Sequence, residues 1–246
     1  MSSLYFENES YLNYMLEHCH PSNQNDYGRV SGTQFAMKII QDLEIQDTHK
    51  VLEIGCGLGR ILNNLRTSYN ADFWGCDISS TLIQEAKALF PDYQDQFFVS
   101  SAESISAPEK SFDRVIYWGV FEMTDMIKAL IETSRILKIG GKALLCSIKN
   151  KEFIQDDIDS IKAHQAYIEK NIPIKYLHVE NFKKVIDYLG FSISKQYIFD
   201  YKDDLIKQKY RNSEDNNYNY SDAIYIIEKL TSTPLDEKSV FSPVEL

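Results

Sequence analysis

The sequence predicts an α/β protein built on an open, doubly wound sheet. Seven strands are expected, mostly parallel with an antiparallel last strand, together with N-terminal helices and a helical lid insertion. Three observations carry this. Short apolar runs alternate with amphipathic stretches between about residues 50 and 148, as parallel strands joined by right-handed crossovers do. The first run, KVLEI, leads directly into Gly55, Gly57 and Gly59. The chain of 246 residues is long enough for one such domain to bury its core unaided.

Taken in order, the first 45 residues read as helical: SYLNYMLEHC, a turn around HPSNQNDYG, then GTQFAMKIIQDLEI. In the last piece Phe35, Ile39, Ile40 and Leu43 recur at helical spacing and face a core. KVLEI is the first strand and GRILNNLRTSY the helix behind it. DFWGCD is the second strand, followed by the helix SSTLIQEAKALF, which Ser79 or Ser80 caps. QFFVSS and FDRVIYWG are the third and fourth strands. MTDMIKALIETSRIL is an amphipathic helix stopped by Lys138 and the glycines of KIGG, and GKALLCSI is the fifth strand. From Lys149 to about Val179 a polar helical stretch intervenes, broken by Pro173. The helix VENFKKVIDYLG, the strand FSISKQYIF, a loop with NSEDNNYNY and a last strand DAIYIIEKL complete the pattern.

One domain over 1–230 is therefore expected: a helical cap (1–48), a ligand-binding core (49–149), a helical lid insertion (150–180) and the completion of the sheet (181–230). Residues 231–246 read as a flexible tail. A formal net charge of −10, from 26 basic and 36 acidic side chains, repels polyanions, so neither nucleic acid nor a membrane surface is expected as partner. No run approaches the ~20 consecutive apolar residues of a membrane span, and MSSLYFENES lacks the basic-then-apolar layout of a secretory signal. Cys19, Cys56, Cys76 and Cys146 are widely spaced without a CxxC, and read as reduced thiols of a cytoplasmic protein. Cys19 lies between His18 and His20, but adjacent residues on a helix cannot all face one ion, and no metal is expected. The chain is expected as a monomer or homodimer.

An apolar strand that ends in Gly-x-Gly-x-Gly and turns into a helix is a ligand-binding corner of an open α/β sheet. The spacing here, Gly55-Cys-Gly57-Leu-Gly59, is not the GxGxxG of a dinucleotide site. Glu53, two residues before the first glycine, would oppose a pyrophosphate and favour a cationic ligand. S-adenosylmethionine fits: an ammonium, a sulfonium, no phosphate, and a ribose with two free hydroxyls. Asp77 stands at the end of the next strand, 18 residues past Gly59, where a carboxylate accepts a ribose diol. Dinucleotide sites use an acid there as well, so Glu53 makes the choice.

With these residues the sequence resembles the class I S-adenosylmethionine-dependent methyltransferases, small-molecule type, which share a Rossmann-like fold. The resemblance runs from about His49 to Ile148, with further agreement to Leu230. It rests on VLEIGCGLG, GCDIS, SSAESI, FDRVIYWGVFEM and LKIGGKALL. It implies that the backbone through Gly55, Cys56 and Gly57, with Glu53 behind it, holds the methionine end of the cofactor. It implies that Asp77 takes the ribose diol and that Ile78 packs on adenine. Ala102 and Glu103 match the adenine-edge position. Tyr117 and Trp118 match the floor between cofactor and acceptor, and Tyr27 and Arg29 the N-terminal tyrosine and arginine placed over the cofactor.

Methyl transfer from a sulfonium needs an aligned nucleophile and the exclusion of water, and an alcohol acceptor also needs a base. The candidates are Glu122, just past strand four, and His164 and His178 in the lid insertion. Absence of an Asn/Asp-Pro-Pro-aromatic turn after strand four and of a Pro-Cys nucleophile argues against nucleobase acceptors. The expected function is methyl transfer to a small molecule, at an oxygen. An N-methyltransferase of a small amine and a non-catalytic cofactor-binding regulatory subunit remain as alternatives.

Overall fold

The structure, a computed structural model, describes residues 5–21, 27–151, 172–200, 207–212 and 220–231, with single positions 162, 165, 168, 169 and 205; of residues 27–31 only the backbone is described. Two helices come first, α1 (Glu9–His18) and α2 (Tyr27–Ile40). The core follows as β1 (Lys50–Ile54), α3 (Arg60–Ser68), β2 (Asp72–Asp77), α4 (Ser80–Leu89), β3 (Phe97–Val99), β4 (Phe112–Tyr117), α5 (Met126–Ile136) and β5 (Leu137–Lys149). It closes with α6 (Val179–Tyr188), β6 (Phe191–Phe199), β7 (Arg211–Asn212) and β8 (Asp222–Lys229).

These strands form one sheet in the order β3-β2-β1-β4-β5-β8-β6-β7. Strands β1 to β5 pair in parallel, and β8 inserts antiparallel between β5 and β6, as the sequence pattern predicts for the last long strand. The sheet has eight strands, one more than expected. The extra one, β7, is a two-residue edge strand beside β6, too short to leave an alternating pattern in the sequence. Side chains alternate between two cores. One face packs α2, α3 and α4, with Val51, Ile61, Leu65 and Ile83 buried. The other packs α5 and α6, with Leu52, Leu130, Phe182 and Ile186 buried.

Three local expectations are corrected. Helix α2 begins at Tyr27 rather than Gly32 and stops at Ile40; a 3-10 turn over Gln41–Leu43 and Glu44 at φ 51° end it. Helix α5 starts at Met126, because Asp125 caps it by accepting the Lys128 N–H at 3.3 Å, and a separate 3-10 turn takes Phe121–Met123. The glycines of KIGG do not end α5. Leu137 already pairs with Phe112 in the sheet, and the Lys138 ammonium is drawn to Asp113 (2.8 Å) instead of capping helix carbonyls. Ser79 does cap α4, accepting the Leu82 N–H at 3.2 Å.

Candidate functional site

Strands β1, β2 and β4 end level with one another, since Ile54 pairs with Cys76 on one side and Tyr117 on the other. At that edge the chain leaves β1 through Gly55, Gly57 and Gly59, at φ 71°, 52° and 74°, the left-handed region that favours glycine. The bend is held from β2. The Gly55 and Cys56 N–H groups donate to the Cys76 carbonyl at 2.8 and 3.0 Å. Asp77 accepts the Gly57 N–H on one carboxylate oxygen and the Ser79 N–H on the other, each at 2.9 Å. A Cβ on Gly55 would come within 2.6 Å of the Val120 side chain, so this glycine lets the loop after β4 close onto the loop after β1. Gly75 in β2 serves similarly, because a Cβ there would meet Leu62 at 2.6 Å and Cys56 Sγ at 2.9 Å.

These turns frame a cavity of about 280 Å³ at the carboxyl ends of the parallel strands. Glu53, Gly55, Cys56, Gly57 and Arg60 form one wall, with Asp77 and Ile78 beside them. Ala102 and Glu103 line the end beyond β3, and Trp118 with Val120 the side beyond β4. The remaining wall comes from the N-terminal segment: Phe6, Tyr11, Tyr14, Met15 and Cys19.

Electrostatics distinguish the walls. Glu53 is only 3% exposed, and its Oε2 has no hydrogen-bond partner among the described residues. Burial raises its pKa to about 8, against the opposing pull of the Arg60 guanidinium and a hydrogen bond from the Leu62 backbone near the start of α3. Burial also raises the pKa of Asp77, although the Ser79, Gly57 and Ile78 backbone groups lower it. Arg60 bonds the Thr33 hydroxyl. Glu103 accepts the Asp125 N–H at 2.8 Å and the Ser101 hydroxyl. Among the described residues, no cluster of three His, Cys, Asp or Glu side chains could hold a metal ion, and no helix is long and apolar enough to cross a membrane.

The cavity thus gathers Glu53, Gly55, Cys56, Gly57, Asp77, Ile78, Ala102, Glu103 and Trp118. Tyr117 is placed elsewhere. It is fully buried on the opposite face of β4, its hydroxyl 2.9 Å from Thr133 Oγ1, and burial raises its pKa. Glu122 is buried in the 3-10 turn after β4, off the cavity wall. Its Oε2 has no partner among the described residues, and burial raises its pKa to about 7 despite the charge of Lys149 and a bond from Ser147. Ser147 sits at φ 63°, where β5 breaks register against β8. His178 precedes α6 and is also off the wall. His164 and the side chains of Tyr27 and Arg29 lie outside the described residues. The sequence points to the N-terminal helices as part of the pocket but not to Arg60 or to the residues of this wall. A signal for the wall was present, for Tyr11, Met15 and Cys19 are spaced by four along α1 and into its C-terminal cap.

An acid behind a glycine bend and a second acid ending the next strand, at the carboxyl edge of an open α/β sheet, make this cavity a candidate nucleoside site. Residues 52–145 match the family described as "Methyltransferase domain". Over those residues the chain matches a methyltransferase domain, and S-adenosylmethionine is the cofactor that such a match supports. It is 21% identical over 170 residues to the methyltransferase GfsG of Streptomyces halstedii, an alignment covering 66% of this chain and 60% of that protein. It is 24% identical over 195 residues to the demethylmenaquinone methyltransferase of Chlorobaculum tepidum, covering 78% and 71%. Its fold is similar to that of the geranyl diphosphate C-methyltransferase of Streptomyces coelicolor, with TM-score 0.65, 10% identity, and coverage of 91% of this chain and 87% of the other. The residues fit the cofactor. The unsatisfied Glu53 oxygen suits an ammonium, and the Asp77 carboxylate has lone pairs left for two hydroxyls.

Proposed function

We propose that this chain transfers a methyl group from S-adenosylmethionine to an oxygen of a small-molecule acceptor. The observation that carries the cofactor assignment is the buried Glu53 oxygen left unsatisfied beside a glycine bend. When bound, the cofactor supplies a sulfonium-activated methyl for in-line displacement. Glu53 then takes the ammonium of the methionine end, and Arg60 is the cation that faces its carboxylate. Asp77 orients the ribose diol, with its own rotamer fixed by the Gly57 and Ser79 N–H groups. Ala102 and Glu103 read the adenine edge, while Trp118 closes the side toward the acceptor and excludes water.

Glu122 supports the oxygen assignment. Its carboxyl is buried one residue before Met123 of the cavity wall, has one oxygen without a partner among the described residues and a pKa near 7, and is the base candidate for an acceptor hydroxyl if the acceptor opens a way to it. His178 and His164 are the other candidate bases, carried by the proposed lid over 150–180. A small acceptor is in keeping with the relatives, which include enzymes named for demethylmenaquinone and for 2-methyl-6-phytyl-1,4-hydroquinone. The test is formation of S-adenosylhomocysteine by the purified chain on matched panels of hydroxyl and amine compounds. Turnover on hydroxyl compounds, with an acidic limb near pH 7 that Glu122→Gln abolishes, is expected. Turnover confined to amines contradicts the oxygen assignment.

A further inference from the structure

Glu7 makes its contacts far from its own neighbourhood in the chain. One carboxylate oxygen accepts the Ser80 N–H at 2.6 Å and the Ser80 hydroxyl at 3.2 Å; the other accepts the Thr81 hydroxyl at 2.8 Å. Helix α4 already has its own cap in Ser79, so it does not depend on Glu7. What depends on Glu7 is the segment it belongs to. The next residue, Asn8, caps α1 by accepting the Tyr11 N–H at 2.8 Å, so fixing Glu7 fixes the point and direction from which α1 departs. From there Tyr11 and Met15, with Cys19 just past the last turn, put one face of the helix on the cavity wall. Met15 reaches the glycine bend itself, its methyl 2.9 Å from where a Cβ on Gly57 would stand. Yet α1 buries none of its own residues. Among the described residues 5–21, Phe6 before it and Cys19 after it are the buried ones.

A helix that walls the cavity without burying a residue has little hydrophobic hold there. Burial of Phe6 and Cys19 holds its two ends, and Glu7 adds a polar anchor at the first of them. We propose that Glu7 is a positioning residue of the cofactor site: its bridge to Ser80 and Thr81 latches α1 across the cavity, and release of S-adenosylhomocysteine requires that latch to open. This rests on the reading of the cavity as the cofactor site. The neighbouring placement is apt, since Asp77 and Ile78 line the cavity immediately before the latch point.

The test is the release rate of tritiated S-adenosylhomocysteine from the full chain, chased with unlabelled compound. Glu7→Ala removes three charge-assisted bonds at a part-exposed site and should speed release about tenfold. Glu7→Gln keeps one carbonyl acceptor and should fall between it and the wild type. Thr81→Val should add little to Glu7→Ala, since both act on one contact. The unfolding midpoint of the ligand-free protein should barely move. A merely structural role would instead lower that midpoint and leave release unchanged. Unaltered release in Glu7→Ala and Glu7→Gln, while Asp77→Ala loses binding, overturns the latch alone. Full binding in Asp77→Ala overturns the cavity assignment, and the latch with it.

Discussion

Replacing Glu53 with Gln should remove the pH dependence of cofactor binding at the point where the cavity is most polarised. With its pKa at about 8, only about one Glu53 in eleven is ionised at pH 7 in the free protein. A ligand ammonium needs the carboxylate, so binding draws a proton off and costs about 1.4 kcal/mol at that pH. The ionised fraction rises from about one in a hundred at pH 6.0 to about one in four at pH 7.5. Allowing for partial loss of the ligand's own ammonium proton near pH 7.5, affinity should rise about 15-fold over that interval. Calorimetric titration with S-adenosylhomocysteine, repeated in buffers of different ionisation enthalpy, reads both the affinity and the proton count. The wild type should release about 0.7 to 0.8 proton at pH 7, the roughly 0.9 lost by Glu53 less what the ligand's own amine takes up. Glu53→Gln should release none and keep only the shallow fall with rising pH that the ligand's own amine imposes. Glu122 lies off the cavity wall and should not contribute to the difference. A wild type with no proton release, or a Gln variant that keeps the slope, would refute the pairing of Glu53 with the ammonium.

Further outcomes follow from the same geometry. Asp77→Ala should weaken cofactor binding by roughly 1.5–3 kcal/mol, measured by the same titration, since it removes a charged partner of the ribose and frees the Gly57 and Ser79 N–H groups. Gly55→Val should lose stability before it loses affinity: the new side chain meets Val120 and is strained at φ 71°, together costing on the order of 3 kcal/mol in denaturant unfolding. Burial raises Glu53 and Glu122 above their unfolded pKa, so each contributes stability that is full below about pH 4.5 and is lost as pH rises through about 8 and 7. The ligand-free protein should therefore be less stable at pH 8 than at pH 6, and Glu122→Gln should reduce that difference by about 1.4 kcal/mol.

How far the sequence could be read depends on how local each determinant is. The glycine bend and its two acids are fixed by chemistry within a strand and its following turn, so Glu53, Gly55, Gly57 and Asp77 could be placed from residue type and spacing. Neighbours in a strand face opposite ways, and the parity of β4 is not written in its apolar run FDRVIYWG. Tyr117 and Trp118 therefore read alike, and only the fold sends one to Thr133 and the other to the cavity. The end of α5 was misjudged because a strand pairing, Leu137 with Phe112, acted before the glycines that follow. Gly75 carried a usable signal, a glycine inside a strand pattern that marks close approach. The contact of Glu7 with Ser80 and Thr81 carried none, since it joins surface residues more than seventy positions apart.

The most direct measurement sets S-adenosylmethionine against NAD in calorimetric titrations of the purified chain at one pH. A buried carboxyl that ionises to meet a positive ligand and has nothing to offer a pyrophosphate predicts heat with the sulfonium compound and silence with the dinucleotide. Binding of the dinucleotide with no response to S-adenosylmethionine would contradict it.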